Sequence, residues 1–283
     1  MTEKTLITDA KNTWCPGCGN FTLQFVLKDV FLELEKEGVP PEELVLVTGI
    51  GCHAKMADYL EVNSVYAIHG RTIPVATGLK IANPRLKVIC CAGDGDAYAE
   101  GLDHLIFGAK RNVDISVIIH NNRVYGLTTG QYTPTSPLGF RGKSTPAGTL
   151  EYPLNPMELM LCSGATFLAR GYTRKKAWLK ESIKEAILHP GFSFVDVLQI
   201  CATFYDVHEE YDKRVYQLEG HDPGSWESAL QKAREWDYNN DGPIGLGTFY
   251  QKKDFAFDQR LLRMKQSDGE IGEGIHRILN ERR

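Results

Sequence analysis

Between residues 20 and 34 apolar side chains recur at three- and four-residue spacing: Leu23, Val26, Leu27, Val30, Phe31 and Leu34. That period predicts an amphipathic helix. Asn20 is placed to cap its start, and Gly38, Pro40 and Pro41 to end it. The pattern then changes. Leu44 to Val47 is an unbroken apolar run that stops at Thr48-Gly49-Ile50-Gly51. Pro74 to Ile81 reads as a helix closed by Asn83-Pro84, and Leu86 to Ala92 as a buried strand stopping at Gly93-Asp94-Gly95-Asp96. A helical segment with Leu102, Leu105, Ile106 and Ala109 follows the second glycine turn. Ile115 to Ile119 is a third strand run, ending at His120-Asn121-Asn122.

Strand, turn and helix repeated in this way predict an α/β fold, a parallel sheet flanked by helices. Ligands of such sheets sit outside the carboxyl ends of the strands. Residues 125–151, rich in Gly, Thr, Ser and Pro, show neither period, and a loop of that length points to a functional segment or a disordered one. Phe194 to Ile200 is a further strand run that ends at Cys201. Beyond Tyr205 the chain is more polar, with Ser225 placed to cap the helix WESALQKAREW. Residues 1–205 are therefore read as the main domain, and 206–283 as a C-terminal extension packed on it or used at an interface between subunits.

Composition narrows the function classes. The chain has 283 residues, 42% of them hydrophobic, and a formal charge of −4 from 32 basic and 36 acidic residues. It can bury a sizeable core, and it lacks the basic excess of a nucleic-acid binder. No apolar run reaches the ~18 residues of a membrane span. The start, MTEKTLITDA, has no basic and apolar leader pattern, so a cytoplasmic protein is expected. Seven cysteines, an odd number, point away from a disulfide framework and toward metal ligands plus buried thiols.

The cysteines fall into two groups. Cys15 and Cys18 form a Cys-x-x-Cys pair around Pro16-Gly17, which lets two thiolates face one metal centre. Cys52 and Cys201 lie at strand ends. Together the four could hold one tetrahedral ion or a [4Fe–4S] cluster. A zinc site, a redox disulfide and scattered buried thiols are the alternatives, and zinc is weakened by the lack of a second Cys-x-x-Cys or a His pair nearby. Cys90, Cys91 and Cys162 lie in apolar segments and are read as small buried hydrophobes.

In Gly93-Asp94-Gly95-Asp96 the glycines let backbone N–H groups approach a phosphate closely. A carboxylate in the same turn makes sense if a divalent cation lies between, and Asn122, one strand–helix–strand crossover later, offers an amide oxygen to the same ion.

The motifs WCPGCG at 14–19, GIGC at 49–52, HGR at 69–71, GDGD at 93–96 and NNRVYGLTTGQYTPTSP at 121–137 stand in one order. That set resembles the beta subunit of 2-oxoacid:ferredoxin oxidoreductases. The resemblance implies a thiamine diphosphate-binding fold, with the cofactor held through Mg²⁺ and a [4Fe–4S] cluster beside it. It assigns Cys15, Cys18, Cys52 and Cys201 to the cluster. Asp94, Asn122 and the Val124 carbonyl go to Mg²⁺, and Gly93 and Gly95 to the diphosphate. Gly51, Cys52, His53, Asp96, Gly126, Leu127 and Thr128 join them around the cofactor.

The implied reaction converts a 2-oxoacid and coenzyme A into acyl-CoA and CO₂ while reducing ferredoxin. Decarboxylation needs an electron sink, which the thiazolium supplies, and single-electron oxidation needs a nearby acceptor. The activating glutamate lies on the family's alpha subunit, so an alpha partner is expected. His69 and Arg71 are candidate catalytic groups, the arginine for a substrate carboxylate. His53 would tune the cluster, and Thr128, Thr129 and Gln131 would line the thiazolium pocket. Arg141 and Lys143 could select a second carboxylate, whereas His104 is read as structural. The LTTGQYTPTSP wording resembles 2-oxoglutarate or broad 2-oxoacid members more than pyruvate-specific ones. Many broad-specificity members carry a lysine where this chain has Thr129.

Overall fold

The strands run in chain order as β1 (Leu44–Thr48), β2 (Asn63–Tyr66), β3 (Lys87–Gly93), β4 (Ser116–Asn121), β5 (Val124–Tyr125), β6 (Gln131–Tyr132), β7 (Phe167–Tyr172), β8 (Ser193–Leu198), β9 (Val215–Gln217) and β10 (Ile244–Gln251). The helices are α1 (Gly19–Lys36), α2 (Met56–Tyr59), α3 (Thr72–Ala82), α4 (Leu102–Arg111), α5 (Pro156–Cys162), α6 (Lys176–Leu188), α7 (His208–Arg214), α8 (Trp226–Glu235) and α9 (Phe257–Ser267). The computed structural model describes residues 5–267 and 279–281. The rest of the extension expected over 206–283, and the first four residues, lie outside the described residues.

One 8-stranded sheet has the order β2-β1-β3-β4-β8-β7-β10-β9, and β5 and β6 form a separate hairpin. Six neighbouring strands, β2 to β7 in that order, are parallel, and β10 runs antiparallel to β7. The apolar runs of β1, β3 and β4 follow from burial on both faces. Leu44, Leu46, Ile89, Cys91 and Ile118 pack on the side of α1, against Leu23, Leu27 and Phe31. Val45, Val47, Val88, Cys90 and Val117 pack on the other side with Ile73 and Ala76 of α3 and Leu105 of α4. Cys90 and Cys91 thus fill opposite faces as small hydrophobes, as expected.

Several local expectations are corrected. Asn20 is not the N-cap of α1: Cys18 occupies that position, and Asn20 sits fully buried inside the helix. The tight turn at Cys15–Cys18 starts the helix earlier, through the Cys18 N–H to Cys15 carbonyl bond of 3.1 Å. Cys162 is exposed rather than buried, because α5 turns Met157, Met160 and Leu161 inward and leaves its last residue outside. The segment after Gly95 opens with a π turn over Asp96–Glu100 before α4 begins. Residues after 205 add β9 and β10 to the main sheet. Ser225 does cap α8, accepting the Ser228 N–H at 3.2 Å.

The segment 125–151 is ordered by its own contacts. Arg123, in the left-handed region at φ 62°, sends a buried side chain to the Thr135 carbonyl at 2.6 Å and to the Tyr238 carbonyl. One side chain therefore ties the Asn121-Asn122 turn to both the long loop and the C-terminal extension.

Candidate active site

Four neighbouring strands, β1, β3, β4 and β8, end on the same edge of the sheet. Their carboxyl ends deliver Gly51 and Cys52, Gly93 to Asp96, Asn122, Val124 to Thr128, and Gln199. These residues, with Ile50, His53, His69 and His120, line one cavity. Parallel strands with right-handed crossovers bring their ends together in this way, although the residues are up to ~150 positions apart.

Glycines are required here by close approach. A Cβ on Gly49 would fall 1.7 Å from the Asp96 carboxylate oxygen, and one on Gly93 would fall 2.8 Å from His53 Nδ1. The backbone is therefore thinned where two buried polar side chains pass. Asp96 accepts the Gly70 N–H at 2.7 Å, and its second oxygen faces His53 Nε2 at 3.5 Å. Asp94 is 2% exposed, and burial pushes its carboxyl up to about 7 against the lowering effect of Thr133 and Thr135. A buried carboxylate in that state is one that a cation would stabilise. Asn122 turns its Oδ1 onto the Val124 N–H at 3.1 Å, which fixes the turn carrying the Val124 carbonyl.

Of the cysteine group, Cys52 lines the cavity, and Cys15, Cys18 and Cys201 do not. Cys15, Cys18, Cys52 and Cys201 are free thiols; burial pushes the Cys18 thiol up to about 11 and raises that of Cys52, and the neighbouring thiols add to both effects. The Trp14 indole N–H donates to the Cys52 carbonyl at 2.7 Å and locks the first turn to the second. The position of a Cβ on Gly126 would be 3.5 Å from Cys52 Sγ, 3.6 Å from Cys201 Sγ and 3.7 Å from Asn122 Nδ2. The Gly126 backbone thus separates the thiols from the Asp94 and Asn122 end. Among the described residues no trio of cysteine sulfurs lies within 4.8 Å of one another, wider than the about 3.8 Å between thiolates on one tetrahedral zinc.

The expected residues are not all equivalent in place. His69 lines the cavity half-exposed, with Nδ1 at 3.5 Å from Asp96 and 3.8 Å from Glu100. Arg71 does not line it; its guanidinium donates to the carbonyls of Gly70 at 3.2 Å and Glu100 at 3.0 Å. Lys143 reaches Thr129 Oγ1 at 3.2 Å, beside the lining residue Thr128. Thr129 holds a positive φ of 81°.

Sequence reasoning missed Ile50, His120, Tyr125 and Gln199 in the lining. His120 Nδ1 is 2.8 Å from Asn20 Oδ1, its Nε2 has no partner among the described residues, and burial holds the ring well below its ordinary pKa. Its place directly before Asn121-Asn122, at a strand end, was the available signal. Tyr125 reaches the Gly95 carbonyl at 3.1 Å and Glu100 at 3.2 Å, bracing the glycine turn.

Comparison with known proteins adds to this geometry. Residues 49–197 match the family described as thiamine pyrophosphate enzyme, C-terminal TPP binding domain. Residues 201–266 match the family of the C-terminal region of the pyruvate ferredoxin oxidoreductase beta chain. The chain is 40% identical to the 2-oxoacid:ferredoxin oxidoreductase subunit beta of Saccharolobus solfataricus, over 96% of this chain and 97% of that protein. It is 43% identical to the 2-oxoglutarate synthase subunit KorB of Methanothermobacter marburgensis, over 68% and 66% respectively. A solved 2-oxoglutarate:ferredoxin oxidoreductase from Magnetococcus marinus, with 2-oxoglutarate, coenzyme A and succinyl-CoA bound, superposes with a TM-score of 0.90. Identity to it is 31%, over 98% of this chain and 97% of that one.

Proposed function

The chain belongs to the family of 2-oxoacid:ferredoxin oxidoreductase beta subunits, and on that premise we propose how its residues divide the work. A beta subunit implies an alpha partner, which would supply the activating glutamate. Asp94, Asn122 and the Val124 carbonyl hold Mg²⁺ against the diphosphate of thiamine diphosphate, with Gly93 and Gly95 along its backbone. Cys15, Cys18, Cys52 and Cys201 hold a [4Fe–4S] cluster. The reaction is the CoA-dependent oxidative decarboxylation of a 2-oxoacid to acyl-CoA and CO₂, with electrons leaving singly to ferredoxin, and it can run in reverse. When bound, the thiazolium supplies the electron sink.

The observation that carries this reading is the meeting at Gly126. Two cluster thiols and a Mg²⁺-side amide lie around one backbone glycine. A cofactor held on the Asn122 side and a cluster held by these thiols would be neighbours, and the cluster would supply a one-electron acceptor there. Around the cofactor the chain's own groups orient and exclude water. Tyr125 braces the glycine turn, His53 and His120 face the cavity, and Leu127 and Thr128 close its rim. His69 is placed to donate to a substrate oxygen, and the backbone engagement of Arg71 fits a positioning role for that loop.

We take 2-oxoglutarate as the preferred substrate. Relatives named as 2-oxoglutarate enzymes and the 2-oxoglutarate-bound structure support it. So does Lys143, whose ammonium stands near the rim, with Arg141 on the same loop. The relatives named simply as 2-oxoacid enzymes favour broad specificity as the second reading. A cytoplasmic location fits a site that needs its cysteines reduced.

The test is iron, acid-labile sulfide and zinc content of anaerobically purified protein, with EPR after dithionite reduction. The assembled enzyme is then assayed for CoA-dependent ferredoxin reduction with 2-oxoglutarate and with pyruvate. About four irons per chain and a reduced-cluster signal are expected. Zinc without a signal would overturn the electron-transfer reading, and equal turnover of both acids would select broad specificity.

A further inference from the structure

Asp196 lies within β8, fully buried, and takes no part in lining the cavity. Its carboxylate accepts from the hydroxyls of Tyr98, at 2.7 Å, and Tyr238. It also accepts from Asn121 Nδ2, at 3.0 Å to one oxygen and 3.3 Å to the other. The far end of that amide, Asn121 Oδ1, is 3.0 Å from Thr135 Oγ1. The same hydroxyl is 3.0 Å from Asp94 Oδ2. We propose that Asp196 is a positioning residue for the cation site, acting through Asn121 and Thr135 on Asp94. The proposal rests on the reading of Asp94 as a Mg²⁺ ligand.

The chemistry of the three groups supports this. A carboxylate accepts only, so Asp196 takes the donor end of the amide and turns the acceptor end toward Thr135. Thr135 has one proton and three oxygens in reach: Asn121 Oδ1 and Asp94 Oδ2, each at 3.0 Å, and Thr133 Oγ1, longer at 3.3 Å. Asn121 therefore competes for that proton, and Asp94 keeps a lone pair free for a cation. Without Asp196 the amide can flip. Its NH₂ would then donate to Thr135, whose proton would go wholly to Asp94 and compete with the ion.

Besides the Arg123 bond to the Tyr238 carbonyl, Asp196 is a second point where the C-terminal extension reaches these residues, since the Tyr238 hydroxyl donates to it. Arg170, its register neighbour on β7, stacks at 5.1–5.2 Å from Trp236, Tyr238 and Phe249 and supplies the balancing charge.

The test measures Mg²⁺-dependent thiamine diphosphate binding by calorimetry on the enzyme assembled with its alpha partner, with melting temperature recorded beside it. Asp196→Asn is expected to weaken binding about tenfold, the worth of one lost or gained hydrogen bond near an ion. In a Thr135→Val background it should add nothing, because the hydroxyl that transmits the effect is gone. Tyr98→Phe, which removes a donor from the same carboxylate and leaves the Asn121 bond, should lower the melting temperature and leave binding within about twofold. If Asp196→Asn fails to fold, Asn121→Ala takes its place in the same cycle and keeps Asp196 beside Arg170. Binding unchanged in Asp196→Asn or Asn121→Ala, or losses that simply add to that of Thr135→Val, would overturn the proposal. Asp94→Asn is the control on the underlying reading: if it binds as the wild type does, the cation site and this inference both fall.

Discussion

Gly49→Ala and Gly78→Ala change one hydrogen for a methyl group at two places in the fold, and the structure expects opposite signs. Gly78 lies inside α3 with nothing within 4 Å of the position its Cβ would take. Alanine there removes backbone freedom from the unfolded chain and should stabilise by about 0.5–1 kcal/mol. At Gly49 the same methyl would lie 1.7 Å from Asp96 Oδ2 and 2.6 Å from its Cγ. Asp96 must move, yet it is 3% exposed and holds the Gly70 N–H at 2.7 Å. Losing a hydrogen bond to a charged acceptor costs about 1.5–3 kcal/mol, and displacing a buried carboxylate from its backbone donor adds to that. A net loss of about 2–4 kcal/mol follows, or roughly 4–16 °C in melting temperature at about 2–4 °C per kcal/mol. Scanning calorimetry on the two variants gives the comparison directly. Gly49→Ala as stable as Gly78→Ala would refute the reasoning, because it would mean that Asp96 is free to leave its place.

Three further outcomes are expected. Serine at Cys15, Cys18, Cys52 or Cys201 should each strip most of the iron, whereas serine at the exposed Cys162 should leave it; metal analysis reads both, and iron lost at Cys162 would break the assignment. Burial lowers the His189 imidazole from its ordinary 6.5 to about 4. The unfolded chain then binds the proton more readily, so this contribution is complete above about pH 6.5 and lost as pH falls toward 4, on the order of 2–3 kcal/mol in all. The melting temperature of His189→Asn should therefore fall less steeply than that of the wild type between those pH values. Ser225→Ala removes the acceptor for the Ser228 N–H and should cost about 1 kcal/mol in chemical denaturation.

Much of the site was legible along the chain because its chemistry is carried by residue types at turns. Two thiols two residues apart, glycines around a carboxylate, and paired asparagines after an apolar run each state a local requirement. The apolar runs themselves announced β1, β3 and β4, since strands covered on both faces have no polar alternation. The edge strand β2 escaped notice because all four of its residues are exposed, and β7 because Arg170 and Gly171 interrupt its apolar run.

What periodicity cannot report is which strand lies beside which. The adjacency of β1, β3, β4 and β8 is a matter of long-range pairing, and it alone brings Cys52, Asn122 and Cys201 around Gly126. The same holds for groups whose role depends on a distant partner. Asn20 looked like a helix cap and became the partner of His120, 100 residues away. Asp196 and Tyr238, 42 residues apart, read as ordinary strand and loop residues. Cys162 looked buried from its apolar neighbours, and the facing of α5 put it outside. Local sequence determined the chemistry this protein has available and the elements that carry it. Tertiary packing decided which of those groups meet, because burial and hydrogen bonding are settled only when distant segments exclude water together.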